Sequence, residues 1–152
     1  MVCLGNICRS PLAEGILASK LSPEQFFVDS AGTGNWHVGN PPDPRSIEAA
    51  KKNGISISNQ KCRQIKESDF DKFDYIFVMD NANYQDVIRL TKNKQQQLKV
   101  KFLLNELFPN QNQAVPDPYY GEQKDFDAVY QLIDTACNSI VNNLITNAIP
   151  NK

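Results

Sequence analysis

Apolar positions along this chain follow two rhythms that alternate. Leu12, Ile16, Leu17 and Leu21 recur at helical spacing and line one face of a first helix, which Pro23 stops. Phe26 to Ser30 reads as a short strand, followed by a glycine-bearing loop through Gly39. Asp43 and Pro44 read as the cap and first residue of a second helix, with Gly54 just past its end. Tyr75-Ile76-Phe77-Val78-Met79 is a nearly unbroken apolar run, the mark of a strand buried on both faces, as in parallel sheets. Tyr84, Val87 and Ile88 return to helical spacing. A polar run from Lys92 to Gln97 reads as a solvated helix end or loop, and Leu98 to Leu103 predicts another strand. The last segment carries Phe126, Val129, Tyr130, Ile133, Ala136, Cys137, Ile140, Val141 and Leu144, a stripe that keeps the helical period and must be buried.

Strands alternating with helices imply right-handed crossovers and an α/β fold whose parallel sheet is covered on both sides. Ligands of such sheets bind beyond the carboxyl ends of the strands. A length of 152 residues, 41% apolar and 22% charged, predicts a single domain over 1–152. The net charge of −1 argues against a general nucleic-acid binder, although it leaves room for a local positive pocket. No apolar run approaches the ~18 residues needed to span a bilayer, so no membrane partner is expected. No leader is read at the start, and the expected compartment is the cytoplasm. Four cysteines, at positions 3, 8, 62 and 137, are too few and too scattered for a secreted disulfide framework. One histidine leaves a Cys/His zinc site poorly supplied. Cys137 belongs to the apolar stripe and is expected in the core, whereas the polar stretch around Cys62 assigns it no role.

The segment Cys3-Leu4-Gly5-Asn6-Ile7-Cys8-Arg9-Ser10 brings in chemistry. It sets a thiol and a guanidinium six positions apart, with a glycine and small or polar residues between. A loop that curls over this distance aims backbone N–H groups, the sulfur and the guanidinium at one small anion. Arg9 offers a planar fork that matches phosphate oxygens. Ser10-Pro11 reads as the cap and first residue of the first helix, which adds N–H groups and the positive end of a dipole. Beside a cation or a helix N-terminus a cysteine pKa falls from ~8.5 to roughly 3.5–7.5. Cys3 is therefore a candidate nucleophile for phosphorus. A turn that merely contains Cys and Arg is the plain alternative. Gly5, the Ser-Pro helix start and a second motif weigh against it. Cys8 would lie near Cys3, as a partner in a reversible disulfide that shields the nucleophile or as a small buried filler.

That second motif is Val115-Pro116-Asp117-Pro118-Tyr119-Tyr120-Gly121. Prolines on both sides make the backbone at Asp117 stiff and extended, so a carboxyl group is fixed at low entropic cost. Departure of a phenolate from phosphorus needs a proton donor, and a later step needs a base for water. One carboxyl group serves both. A turn in which Asp and Pro only shape the backbone is the alternative. Trp36, Tyr119 and Tyr120 are candidates for an aromatic rim that would admit a phosphophenyl group, or else for core packing. His37, the only histidine, is a loop residue expected at most to face substrate.

With C-L-G-N-I-C-R-S-P and D-P-Y-Y-G in one chain of this size, the sequence resembles the low-molecular-weight protein tyrosine phosphatases. The resemblance runs through Val28-Asp29-Ser30-Ala31-Gly32-Thr33, Gly39-Asn40-Pro41-Pro42-Asp43, Phe73-Asp74-Tyr75-Ile76 and Met79-Asp80, and so covers almost the whole chain. It implies a four-stranded parallel, Rossmann-like sheet with helices on both faces and neither metal nor organic cofactor. It implies that Cys3 forms a phosphocysteine, that Arg9 clamps the phosphoryl oxygens, and that Asp117 acts as general acid and then base. Counterparts of Leu4, Gly5, Asn6, Ile7 and Cys8 form the phosphate loop. Those of Asn6, Ser10 and Ser30 hold it by hydrogen bonds, and those of Trp36, His37, Tyr119 and Tyr120 border the cleft. The implied substrate is a phosphotyrosine protein or a small aryl phosphate, and a monomer or weak dimer is expected. One departure stands out. Only Met1 and Val2 precede Cys3, where the family has a longer apolar strand, so the first strand is expected to be shortened or the natural start to lie upstream. An upstream apolar extension is then expected to raise stability.

Rival readings are weaker. An arsenate reductase of the same architecture needs two further cysteines poised for relay, and Cys62 and Cys137 are far apart in sequence. A protein-arginine phosphatase would carry a small polar residue in place of the apolar Ile7. A phosphocysteine carrier or a phosphate-binding module would not need Asp117 between prolines.

Overall fold

In the computed structural model, residues 1–148 are described; the expected domain 1–152 runs on into residues 149–152, which lie outside them. The chain alternates β1 (Val2–Cys3), α1 (Arg9–Lys20), β2 (Ala31–Gly32), α2 (Pro44–Lys52), α3 (Asp69–Lys72), β3 (Ile76–Val78), α4 (Asn81–Leu90), α5 (Lys94–Leu98) and β4 (Val100–Phe102). A 3-10 turn over Leu103–Glu106 and the long α6 (Gln123–Ala148) complete it. The strands form one four-stranded sheet in the order β2-β1-β3-β4, and every pairing is parallel. β1 lies between β2 and β3, with Val2 opposite both Ala31 and Val78. The order reverses direction at β1, so the crevice where ligands of such sheets bind opens at its carboxyl end.

The pleat divides the strand residues between two cores. Cys3 and Phe77 face α1, α2 and α6, where they join Leu12, Ile16, Ala49, Phe126 and Ile133. Val2, Ile76, Val78, Val100 and Phe102 face the other way, onto Phe70 of α3 and Val87 of α4. This two-sided burial explains why β3 reads as a continuous apolar run. Cys137 sits in the first core with no exposure, as expected from its stripe, and burial pushes its thiol up to about 12. Helix α2 starts and stops as its sequence predicts. The Asp43 carboxylate accepts from Arg45 N–H at 2.8 Å, Pro44 opens the helix, and Gly54 past its end takes φ +76°.

Three expectations change. Phe26 to Ser30 does not form a strand, and β2 is confined to Ala31–Gly32. The pairing with β1 sets Val2 opposite Ala31 and Cys3 opposite Gly32, and Met1 N donates to Asp29 O at 3.0 Å. Phe27 instead lies on the surface against the ring of Phe73, 5.8 Å between centroids. Leu98 does not open β4 but ends α5, because Asn93 caps that short helix by accepting from Gln96 N–H at 2.9 Å. Ser10 is not the cap of α1. The helix begins at Arg9, with Cys8 in the cap position, and the Ser10 hydroxyl turns to the Cys3 sulfur.

Candidate active site

Residues Leu4 to Cys8 turn from the end of β1 into α1, and four of their five carbonyls are bonded to groups outside the turn. Leu4 O accepts from Gly34 N–H at 2.9 Å, Ile7 O from Asp43 N–H at 2.8 Å, and Cys8 O from the Ser46 hydroxyl at 3.1 Å. Asn6 O accepts from the thiol of Cys62, with Sγ at 2.8 Å. The N–H groups of Leu4, Gly5, Asn6, Ile7 and Cys8 meet no protein acceptor among the described residues. Carbonyls tied to the surrounding protein and a run of amides without protein acceptors are what a nest for an anion requires, and the N-terminus of α1 lies at the same turn.

Asn6 holds this shape. Its backbone is left-handed at φ +55°, a conformation asparagine tolerates better than most residues. Its amide nitrogen donates to Ser10 Oγ at 2.8 Å and to Ser30 Oγ at 2.9 Å, and its amide oxygen accepts from Arg63 N–H at 3.0 Å. Ser10 Oγ lies 3.0 Å from Cys3 Sγ. Ser30 donates onward to Glu14 Oε2 at 2.5 Å. Burial raises the Glu14 pKa, against the opposing effect of that hydrogen bond. Gly32 packs directly behind the loop; a Cβ there would lie 2.8 Å from Leu4 O and 3.1 Å from Asn6 N.

Arg9 is buried, its side chain 4% exposed, and is anchored through one nitrogen. Nη1 donates to Asp80 Oδ2 at 2.8 Å and to Val115 O at 2.9 Å. Nε and Nη2 remain for an oxyanion, with Asp117 Oδ2 3.6 Å from Nη2. Asp80 also caps α4, accepting from Asn83 N–H at 2.8 Å, so the carboxyl end of β3 orients the guanidinium.

The cavity above the loop has a volume of about 220 Å³. Its floor is Cys3, Leu4, Gly5, Ile7, Cys8 and Arg9, and Trp36, His37, Asp117, Tyr119 and Tyr120 stand around it. Asn6, Ser10 and Ser30 do not line it; they hold the floor from behind. The His37 ring lies against Gly5, 3.2 Å from where a Cβ would stand. Trp36 is 68% exposed and Tyr120 97%, so both are rim residues and not core. Tyr119 and Tyr120 meet edge to face at 5.0 Å. The Asp117 carboxyl is 47% exposed and accepts from Tyr119 N–H at 3.2 Å. Cys3 and Cys8 are both buried and unbridged. Burial, then the nearby Asp43, pushes the Cys8 thiol far above its usual range, so it stays protonated. Among the described residues no group of three His, Cys, Asp or Glu is arranged to hold a metal ion, and no helix is long and apolar enough to cross a membrane.

Four contributors escaped the sequence: Asp80, Glu14, Cys62 and Arg45, whose guanidinium donates to Tyr119 O and Gly121 O. Only Asp80 carried a usable signal, since it follows the buried strand at the end where ligands bind.

Sheet and loop together define a doubly wound α/β protein whose first strand ends on a thiol, Cys3, beside a turn of amides without protein acceptors. The family model described as low molecular weight phosphotyrosine protein phosphatase matches residues 1–148, and the chain belongs to that family of enzymes. A Schizosaccharomyces pombe low molecular weight phosphotyrosine protein phosphatase is 44% identical over 143 residues, covering 90% of each chain. A crystal structure of a protein tyrosine phosphatase from Entamoeba histolytica superimposes with a TM-score of 0.89 at 35% identity, over 97% of this chain and 96% of that one. Vibrio vulnificus Wzb in complex with benzylphosphonate superimposes with a TM-score of 0.84 at 29% identity, over 93% of this chain and 94% of that one.

Proposed function

We propose that the chain hydrolyses protein phosphotyrosine through a phosphocysteine on Cys3, with Arg9 as phosphate clamp and Asp117 as general acid and then base. The observation that carries this reading is the turn itself. N–H groups without protein acceptors and an anchored guanidinium share one cavity with the Cys3 sulfur, and the Asp117 carboxyl lines the same cavity.

In the first step Cys3 Sγ attacks phosphorus, an S–P bond forms, and the P–O bond to the tyrosine breaks. Protonated Asp117 donates its proton to the departing phenolate oxygen. The nest amides and Arg9 Nε and Nη2 hold the three equatorial oxygens, where charge gathers in the transition state. In the second step the Asp117 carboxylate takes a proton from water, the water oxygen bonds to phosphorus, and the S–P bond breaks. Ser10 Oγ, 3.0 Å from Sγ, stabilises negative charge on sulfur as it attacks and as it leaves.

Trp36, Tyr119 and Tyr120 favour an aryl phosphate, because each offers a ring contact worth roughly 0.5–1.5 kcal/mol beyond area burial. The apolar Ile7 in the floor favours phosphotyrosine over phosphoarginine. The benzylphosphonate held by Wzb, a phenyl group one carbon from a phosphonate, fits the same preference.

The test is phosphate release from a phosphotyrosine peptide with chelator present. Cys3→Ser is expected to abolish turnover while retaining vanadate binding, and Asp117→Ala to lower kcat by roughly 10²–10⁴. Turnover by Cys3→Ser, or an undiminished rate in Asp117→Ala, refutes the assignment.

A further inference from the structure

The two halves of the site are held very differently. The phosphate loop is tied at almost every carbonyl, and its Asn6 side chain is bonded at both ends. The acid loop is not. Asp117 lies between prolines that cannot donate, and within the loop Tyr119 N–H bonds Asp117 and Gly121 N–H bonds Pro118 O. Among the described residues, the hydrogen bonds that tie 116–121 to the rest of the chain come from one side chain. Arg45 Nη2 donates to Tyr119 O at 3.0 Å and Nη1 to Gly121 O at 2.9 Å.

That guanidinium is itself fixed. Nε and Nη2 meet the two oxygens of Asp43 at 3.0 and 2.9 Å, and the ring of Phe126 lies 4.3 Å beneath Cζ. The amide of Asp43 donates to Ile7 O at 2.8 Å, and Ser46, one residue beyond Arg45, donates its hydroxyl to Cys8 O. The start of α2 thus rests on the phosphate loop and reaches with one planar fork to the acid loop. Only a guanidinium can make all these bonds at once, because an ammonium has neither the span nor the plane.

We infer that Arg45 is a positioning residue that sets Asp117 at proton-transfer distance from the phosphate loop. This rests on the acid–base role proposed for Asp117. Displacing a catalytic group by about 1 Å costs on the order of 10² in rate, and the loss should fall on the step that needs the proton. A phenolate leaving group needs it. A p-nitrophenolate, a far weaker base, leaves almost as well without it.

The experiment compares kcat/KM for phenyl phosphate and p-nitrophenyl phosphate in the wild type, Arg45→Ala, Arg45→Lys, Asp117→Asn and the double variant Arg45→Ala/Asp117→Asn. Arg45→Ala is expected to lose about tenfold more on phenyl phosphate than on p-nitrophenyl phosphate, with vanadate affinity unchanged. Arg45→Lys, which keeps the charge, is expected to show the same selectivity to a smaller degree. In the Asp117→Asn background Arg45→Ala should add no further selective loss, because the acid it positions is gone. Equal loss on both substrates, a selective loss that persists without Asp117, or no loss at all overturns the inference. If Arg45→Ala fails to fold, Arg45→Lys decides by the same comparison. If Asp117→Asn itself shows no dependence on the leaving group, the acid reading fails and takes this inference with it; selectivity in Asp117→Asn but not in the Arg45 variants sinks the inference alone.

Discussion

Adding one methyl group behind the phosphate loop should damage the site more than the fold. Gly32 lies in β2 opposite Cys3, and a Cβ there would stand 2.8 Å from Leu4 O, 3.1 Å from Asn6 N and 3.1 Å from the carbonyl carbon of Gly5. All three neighbours are backbone, so no side chain can swing aside. Neither partner is free to retreat. Gly32 N–H donates to Arg63 O and its carbonyl accepts from Ile65 N–H, both at 2.8 Å, while Leu4 O is held by Gly34 N–H. To regain ordinary van der Waals separation the loop must move by roughly 0.5 Å or more toward the cavity. Overpacking of this kind costs about 1–3 kcal/mol, which for a chain of this length lowers Tm by roughly 2–12 °C. The displaced amides and sulfur should also reduce kcat/KM by about tenfold or more, since misplacement of about 1 Å costs on the order of 10². The assay pairs thermal melting with p-nitrophenyl phosphate turnover and vanadate affinity for Gly32→Ala and Gly54→Ala. A Cβ at Gly54 meets nothing within 4 Å, but its φ of +76° strains any other residue. Gly54→Ala should therefore cost about 1 kcal/mol of stability and leave turnover and vanadate binding alone. Gly32→Ala with wild-type vanadate affinity and turnover would refute the claim that Gly32 sets the loop's position.

Glu14→Gln should raise Tm at pH 8 and lose that advantage as pH falls. Burial raises the carboxyl pKa above its ordinary value near 4.5, so the stability Glu14 lends is present in full below that value and lost as pH rises through the folded one. A Tm difference that does not change between pH 4 and pH 8 would contradict this. Ser10→Ala removes the hydroxyl 3.0 Å from Cys3 Sγ. A hydrogen bond to a charged group is worth about 1.5–3 kcal/mol, so kcat should fall by roughly ten- to a hundredfold. An unchanged kcat would show that the sulfur does not depend on it.

The sequence disclosed those parts of the molecule whose cause is local. β3 was legible because Ile76, Phe77 and Val78 are buried on both faces, and α2 because Asp43, Pro44 and Gly54 mark both its ends. The turn from Cys3 to Arg9 was legible because its thiol, glycine and guanidinium lie within one short segment. Asp117 stood out through its flanking prolines. The rest depends on contacts the sequence does not advertise. Asp80 reaches Arg9 across 71 positions, Arg45 reaches Tyr119 across 74 and Cys62 reaches Asn6 across 56. Each is a polar or small side chain that by type alone reads as surface or filler. Ser10 was misread for the same reason, since a serine before a proline has the local pattern of a cap and only the approach of Cys3 and Asn6 redirects its hydroxyl. The strand expected over Phe26 to Ser30 had suitable residues, but only Ala31 and Gly32 pair with β1.

The sheet topology divides the labour within this site. The floor is held from the carboxyl ends of adjacent strands: Cys3 ends β1, the amides of Thr33 and Gly34 after β2 donate to Cys3 O and Leu4 O, and Asp80 after β3 accepts from Arg9. Strands paired in one sheet are coupled through their ladders, so the turn after β1 and the Arg9 guanidinium are positioned by the sheet. Asp117 comes from a loop beyond the last strand, which meets that layer at its first residue, where Val115 N–H donates to Met79 O and its carbonyl accepts from Arg9. Beyond Val115 the hydrogen bonds that tie the loop to the rest of the described chain come from Arg45, and Asp117 Oδ2 lies 3.6 Å from Arg9 Nη2. Perturbations of the floor, such as Gly32→Ala, should therefore weaken oxyanion binding and turnover together, whereas perturbations of the tether should spare vanadate and fall on proton transfer. A variant of Arg45 that lost vanadate affinity in step with turnover would mean that floor and acid loop move as one body, and the division drawn from their hydrogen bonds would be wrong.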